Sequence, residues 1–169
     1  MYKLLKLCYD DLDDEQYKKC LLYAALYSEA SVINATYLLE CWAAENLLEE
    51  GDSIPKKSLI YVHLVLSRLM NVSLLEEGEG ENHVTLHKVI RQVTLYIAGG
   101  DHECKYMVEK RVTEPPKVES WIEKNWISFG DNRLTYLPDS PTCKLFSTFF
   151  LQRNSSLNGI PQSFFEHMI

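Results

Sequence analysis

The sequence predicts a mainly α chain with a small β-wing, followed by the start of an α/β repeat. Three observations carry this expectation. Apolar residues recur at helical spacing in three stretches before residue 71 and in a fourth after residue 88. Between the third and fourth, the period shortens around a loop of glycine and glutamate. Beyond residue 126, a pattern of apolar, asparagine and proline positions returns after 22 or 23 residues. Apolar residues at 46% and charged residues at 24% of 169 fit a globular chain. The net charge of −7 is carried before residue 111, and the acids and bases of 111–169 balance. No apolar run reaches the length of a membrane helix, and "MYKLLKLCYDDL" lacks a secretory h-region, so a non-secreted, cytoplasmic chain without a membrane span is expected.

The elements follow in order. "DDEQYKKCLLYAALY" offers Asp13 and Asp14 as caps and places Tyr17, Cys20, Leu21, Ala24 and Ala25 on one face, a helix from about Asp13 to Tyr27. After a polar gap, "NATYLLECWAAENLLEEGD" spaces Leu38, Leu39, Trp42, Ala43 and Leu47 helically and stops at Gly51. "KKSLIYVHLVLSRLMN", with Pro55 just before it, has Leu59, Ile60, Val62, Leu66, Leu69 and Met70 around much of its circumference, as in a helix buried on several sides. His63 is placed at the edge of that core. "SLLEE", the turn "GEGEN" and "HVTLH" make a short hairpin. "KVIRQVTLYIAGG" resumes helical spacing through Val89, Ile90, Val93 and Ile97 and ends at Gly99 and Gly100.

Helices, a β-wing and a further helix predict a winged-helix domain over 1–110, joined by a Pro-containing connector at 111–125 to residues 126–169. There "ISFGDNRLTYLP" aligns with "FFLQRNSSLNGIP", so that Ile127, Phe129 and Asn132 match Phe149, Leu151 and Asn154. Phe146, Phe149, Leu151 and Asn154 fit the leucine-rich pattern L-x-x-L-x-L-x-x-N with aromatic substitutions, the asparagine satisfying backbone groups within the turn. Two units cannot bury their own ends, so this is expected to be the truncated start of a longer solenoid.

A winged helix raises the alternative of a nucleic-acid-binding protein. The helix that would read DNA carries Glu40, Glu45, Glu49 and Glu50 with no lysine or arginine, and the wing carries Glu76, Glu77, Glu79 and Glu81. Such a surface repels phosphates, and no nucleic-acid partner is expected. Five cysteines without a CxxC pair indicate reduced thiols, with Cys20 and Cys41 on apolar faces. The sequons at Asn34, Asn71 and Asn154 are read as chance matches. Trp42, Trp121 and Trp126 are read as packing residues. The acids at 10–15 are read as a solvated helix start, not a cation site. His83 and His87, four apart at a strand-to-helix junction, do not share a helical face, so no metal site is expected. A histidine in the place of His87 has three possible roles: helix cap, metal ligand or phosphate contact.

"LKLCYDDLDDEQYKKCLLYAALYSE", "LLECWAAENLLEE", "SRLMNVSLLEE", "VTLHKVIRQVTLYIA" and "EPPKVESWIEKNWISFGDNRLTYLP" carry a resemblance over nearly the whole chain. The sequence resembles the winged-helix region and first leucine-rich repeats of plant intracellular nucleotide-binding leucine-rich-repeat (NLR) immune receptors, the coiled-coil class in particular. The resemblance implies a regulatory and interaction module in the defence response, in which the repeats serve recognition and autoinhibition. In the family a Met-His-Asp tripeptide latches the winged helix onto the nucleotide domain, its histidine approaching the β-phosphate of ADP. Here the tripeptide is Leu86-His87-Lys88, so His87 inherits the ADP contact by resemblance. Lys88 replaces the aspartate, "YSEA" stands for Phe-Pro-Glu-Asp, and Asn46 occupies a position that the family gives to glycine. No G-x-x-x-x-G-K-[ST] occurs, so the chain is expected to be a fragment without a catalytic centre or a cofactor of its own. ADP or ATP belongs to the complete receptor. The partners implied are the missing nucleotide-binding domain, the remaining leucine-rich repeats, and a pathogen effector or guarded host protein.

Overall fold

The computed structural model describes residues 2–12, 14–48, 59–99 and 105–168. Among them are five α-helices, one short 3-10 helix and six strands, so the chain is mixed α/β rather than mainly α. Two units form, one from residues 1–25 with 29–100, the other from 26–28 with 101–169. No helix of the described residues is long and apolar enough to cross a membrane.

The first unit opens with α1 (Tyr2–Asp10), which the sequence reading does not anticipate. α2 (Glu15–Ala25) starts where the Asp14 carboxylate accepts the Gln16 amide at 2.9 Å, and it buries Cys20 through Ala25. The other cap candidate, Asp13, lies outside the described residues. The polar gap that follows contains β1 (Val32–Asn34), too short to show a period of its own. Asn34 ends β1 and caps α3 (Ala35–Ala44), its side chain accepting from the Tyr37 amide at 3.0 Å. α4 (Leu59–Asn71) buries Val62, Val65, Leu66 and Leu69. His63 is exposed there, not at a core edge, because the buried stripe runs through Val62, Val65 and Leu69 and leaves positions 63 and 64 outward. Pro55 lies outside the described residues.

β2 (Glu76–Glu77) and β3 (His83–Thr85) make the hairpin, and β1 adds to it as a third antiparallel strand in the order β1-β3-β2. Ile33 stands opposite Val84, and both are buried, so one face of this small sheet is core. α5 (Lys88–Ala98) follows β3 after two residues.

α3 stops at Ala44 rather than running to Gly51, which lies outside the described residues. The cause is a Schellman exit. The Asn46 amide donates to the Ala43 carbonyl at 3.2 Å, the Leu47 amide to the Trp42 carbonyl at 3.1 Å, and Asn46 sits at φ 51°. α4 leaves in the same way. Ser73 at φ 55° donates to Met70 at 2.9 Å, and Leu74 to Leu69 at 3.0 Å. Both exits then bury a Leu-Leu pair, Leu47-Leu48 and Leu74-Leu75. Asn46-Leu47-Leu48 and Ser73-Leu74-Leu75 thus form one device twice.

The second unit is built on three parallel strands, β4 (Tyr106–Val108), β5 (Trp126–Ser128) and β6 (Thr148–Phe150). Ile127 pairs with Phe149, the 22-residue register of the sequence alignment, and Met107 pairs with Ile127. Three residues beyond each strand, Arg111, Asp131 and Arg153 adopt φ of 59°, 54° and 59°, turning the chain out of the sheet at the same place each time. An asparagine comes next after Asp131 and after Arg153. Asn132 donates to the Glu109 and Gly130 carbonyls at 3.0 and 3.2 Å and accepts the Val112 amide at 2.9 Å. Asn154 donates to Phe129 and Leu151 at 2.7 and 3.0 Å and accepts the Leu134 amide at 3.2 Å. Each side chain therefore satisfies its own turn and the backbone that follows the preceding strand. Residues 111–125 supply part of this ladder through Val112, and a 3-10 turn, Val118–Trp121, places Trp121 in the core with Ile127, Phe129, Leu134, Cys143 and Phe164. Trp121 meets Phe129 edge-on at 5.3 Å. Residues 26–28 pack here too. The Ser128 hydroxyl donates to the Leu26 carbonyl at 2.6 Å, and Tyr27 meets Phe150 edge-on at 4.8 Å.

Candidate functional site

The site residues follow from where β3 ends. Period 2 along the strand makes Val84 and Leu86 buried and leaves His83 and Thr85 half-buried, so the chain arrives at His87 with its apolar side already committed. His87 keeps an extended backbone, φ −58° and ψ 136°, and α5 begins at the next residue. Its carbonyl accepts the Arg91 amide at 3.0 Å, the first helical bond. Its Nδ1 accepts the Val89 amide at 3.3 Å. His87 is therefore the N-cap of α5, satisfying one of the amides that a helix start leaves open.

The rest of the tripeptide divides by burial. Leu86 is 5% exposed and anchors the junction, while His87 and Lys88 are exposed. Lys88 stands at the first helical position, and the first turn of α5 holds no acidic residue. The three residues come together as a sequential unit, and none of them lines the cavity of about 360 Å³ at the hairpin, which is bounded by Leu66, Met70, Glu77, Glu81, His83 and others.

His83 is turned to other work. Its Nδ1 lies 2.7 Å from the Glu81 carbonyl, and since a carbonyl only accepts, this nitrogen donates. The two histidines use their Nδ1 atoms locally and in opposite senses. Among the described residues no three His, Cys, Asp or Glu side chains gather in a way that could hold a metal ion.

One residue beside the site was missed by sequence reasoning. Arg91, one turn into α5, is only 3% exposed, and Thr94 and Ala98 are buried with it. The sequence stripe of Val89, Ile90, Val93 and Ile97 leaves 91, 94 and 98 on its flank, yet Val89 and Ile97 are half-buried instead. α5 packs against both α1 and α2, so its buried face is wider than one apolar stripe. Thr94 and Ala98 share a helical face with Arg91, but a charged residue at that position gives the sequence no sign of burial.

No model of a known protein family matches the chain. Individual relatives do. Disease resistance protein SUMM2 of Arabidopsis thaliana is 34% identical over 96% of the chain, and disease resistance proteins RFL1 and RPS5 of the same plant are 32% and 30% identical over 98%. The chain belongs to the plant disease resistance protein family. It spans about a fifth of the length of these relatives, 19% in each of the three. Plant disease resistance proteins are thus similar to this chain across both units, from α1 to the third strand of the parallel sheet. Asn46, where the family resemblance expects glycine, sits at φ 51°. Asparagine is the side chain best able to replace glycine in that conformation, so the helix exit survives the exchange.

Proposed function

We propose that the chain is a regulatory and interaction module of a plant NLR immune receptor of the coiled-coil class, acting in the defence response. The first unit acts as the winged helix that restrains the ADP-bound resting state, with His87 as its contact to the nucleotide. The second unit begins the leucine-rich repeats that serve recognition and autoinhibition. The chain works in the cytoplasm as part of a longer receptor, has no catalytic centre of its own, and relies on a separate nucleotide-binding segment to cradle ADP or ATP. Its partners are that segment, further repeats, and a pathogen effector or guarded host protein.

The observation that carries this reading is the place of His87. An exposed imidazole at a helix start, held by its own Nδ1, fits one contact to a phosphate oxygen and no more. One such contact between two domains is enough to bias a conformational switch. The asparagine ladder of the second unit supports the repeat reading in the same way.

The test separates the cap from the contact. In a receptor assembled with the nucleotide-binding segment, His87→Ala is expected to accelerate ADP release. His87→Asn keeps a capping oxygen but loses the reach of the imidazole, so it should also accelerate release while holding the melting temperature, whereas His87→Ala should lose about 1 kcal/mol of stability. Release kinetics unchanged in both variants would remove His87 from the latch. Calorimetry on the isolated chain should detect no tight ADP binding, because one histidine does not replace a phosphate loop.

A further inference from the structure

We propose that the Val89 backbone amide sets the tautomer of His87, so that the neutral ring carries its proton on Nε2 and meets an anion as a single directed donor. The amide N–H lies 3.3 Å from Nδ1 and can only donate, which requires a lone pair on Nδ1. A neutral imidazole has one ring proton, and it must then sit on Nε2. His87 is exposed, and among the described residues no hydrogen bond engages Nε2.

This deepens the ADP-contact reading, on which the identity of the anion rests. It also decides between the roles open to such a histidine. Helix cap and phosphate contact use different nitrogens, so the ring does both at once. Metal ligation at Nε2 needs a lone pair exactly where the cap leaves a proton, so a cation is disfavoured there. Val89 is thus a positioning residue acting through its backbone, and the donor is fixed before any ligand arrives. An oxygen of a phosphate ester or of free phosphate satisfies it equally.

His83 supplies an internal comparison. Its Nδ1 donates to the Glu81 carbonyl at 2.7 Å, so the neutral His83 ring carries its proton on Nδ1. The two histidines hold opposite tautomers four residues apart. His63 and His167, both exposed, report a ring in solvent.

Long-range ¹H–¹⁵N correlation spectra of the full chain, at a pH well above the ordinary histidine range, read the tautomers directly, with His87→Asn assigning the signal. His87 is expected to show a protonated Nε2 and an unprotonated Nδ1, and His83 the reverse. A His87 pattern equal to that of His63 and His167, or one with Nδ1 protonated, overturns the proposal. Val89→Pro removes the donor at a first-turn position where proline is tolerated, and it should move His87 toward the pattern of the exposed histidines. If that variant does not fold, a scalar coupling between the Val89 nitrogen and His87 Nδ1 in the parent chain takes its place, and its absence counts against the bond. Titration with inorganic phosphate and with ADP then addresses the ligand alone. A correct tautomer with no effect on ADP release in the assembled receptor refutes the ADP reading and leaves the tautomer standing, whereas altered release with the wrong tautomer does the opposite.

Discussion

Cys20 and Cys143 show how burial decides a residue's chemistry. Burial pushes the Cys20 thiol far above its ordinary range, with the nearby Asp14 charge adding to it. Burial also raises Cys143, partly offset by backbone hydrogen bonds at Lys124 and Leu145, and its Sγ donates to the Trp121 carbonyl at 2.8 Å, a bond that only the protonated form makes. A raised pKa in the folded state contributes stability below the unfolded value and loses it as pH climbs through the folded one, so stability should fall above about pH 8.5, where an unfolded thiol ionises. Alkylation with iodoacetamide at mildly alkaline pH is expected to label the half-buried Cys8 and Cys41 first and to spare Cys20 and Cys143 until denaturant is added. Labelling of Cys20 in native conditions would show that its site opens locally. The placement of Cys20 on an apolar face was legible from its spacing with Tyr17, Leu21 and Ala24. That of Arg91 was not, because a charged residue next to an apolar stripe reads as solvated unless the covering helix is known.

At the scale of elements, helix ends were harder to place than helix faces. The stripe of α3 runs on into Leu47 and makes the sequence look helical to Gly51, yet Leu47 is buried as the residue after a left-handed turn, not as a helical one. Only the recurrence of a polar residue followed by Leu-Leu, at 46–48 and 73–75, could have revealed the exits, and periodicity does not see them. Ser73 holds φ 55° without the local hydrogen bonding that lets asparagine tolerate it, so Ser73→Gly is expected to stabilise the first unit by about 0.5–1 kcal/mol, while Asn46→Gly is nearly neutral. Equilibrium denaturation with an unchanged m-value checks both, and a loss of stability in Ser73→Gly refutes the strain argument. The start of α5 offers a second case. Lys88 places a cation at the positive end of a helix that has no acid in its first turn, and Lys88→Asp should raise stability by about 0.3–1 kcal/mol at low salt, with the gain shrinking as salt is added. In the assembled receptor the same variant should slow ADP release. A gain insensitive to salt would show that the helix dipole is not its cause.

The chain divides into two compact units, the first with Trp42 fully buried and the second with its core around Trp121. The 22-residue spacing exposed the second unit in the sequence, since Ile127 and Phe149 are partners and Asn132 and Asn154 hold equivalent turns. The earlier strand β4 escaped notice because its offset from β5 is 20 residues and no asparagine follows Arg111. Asn132 and Asn154 each donate twice and accept once, but Asn132 is 3% exposed and Asn154 half-buried, so water can replace the second more readily. Each buried backbone group left without a partner costs about 1–3 kcal/mol, and Asn132→Ala strands several. It should therefore destabilise the second unit by roughly 3 kcal/mol, and Asn154→Ala by less. Calorimetry of the full chain tests this and the division together. If each core unfolds on its own, Asn132→Ala lowers one transition and Ser73→Gly raises the other, each leaving its neighbour in place. The shift should be about 4–8 °C per kcal/mol for units of this size. A single transition displaced by both variants would mean that the two cores unfold as one, and equal losses at Asn132 and Asn154 would mean that burial does not set the strength of the ladder.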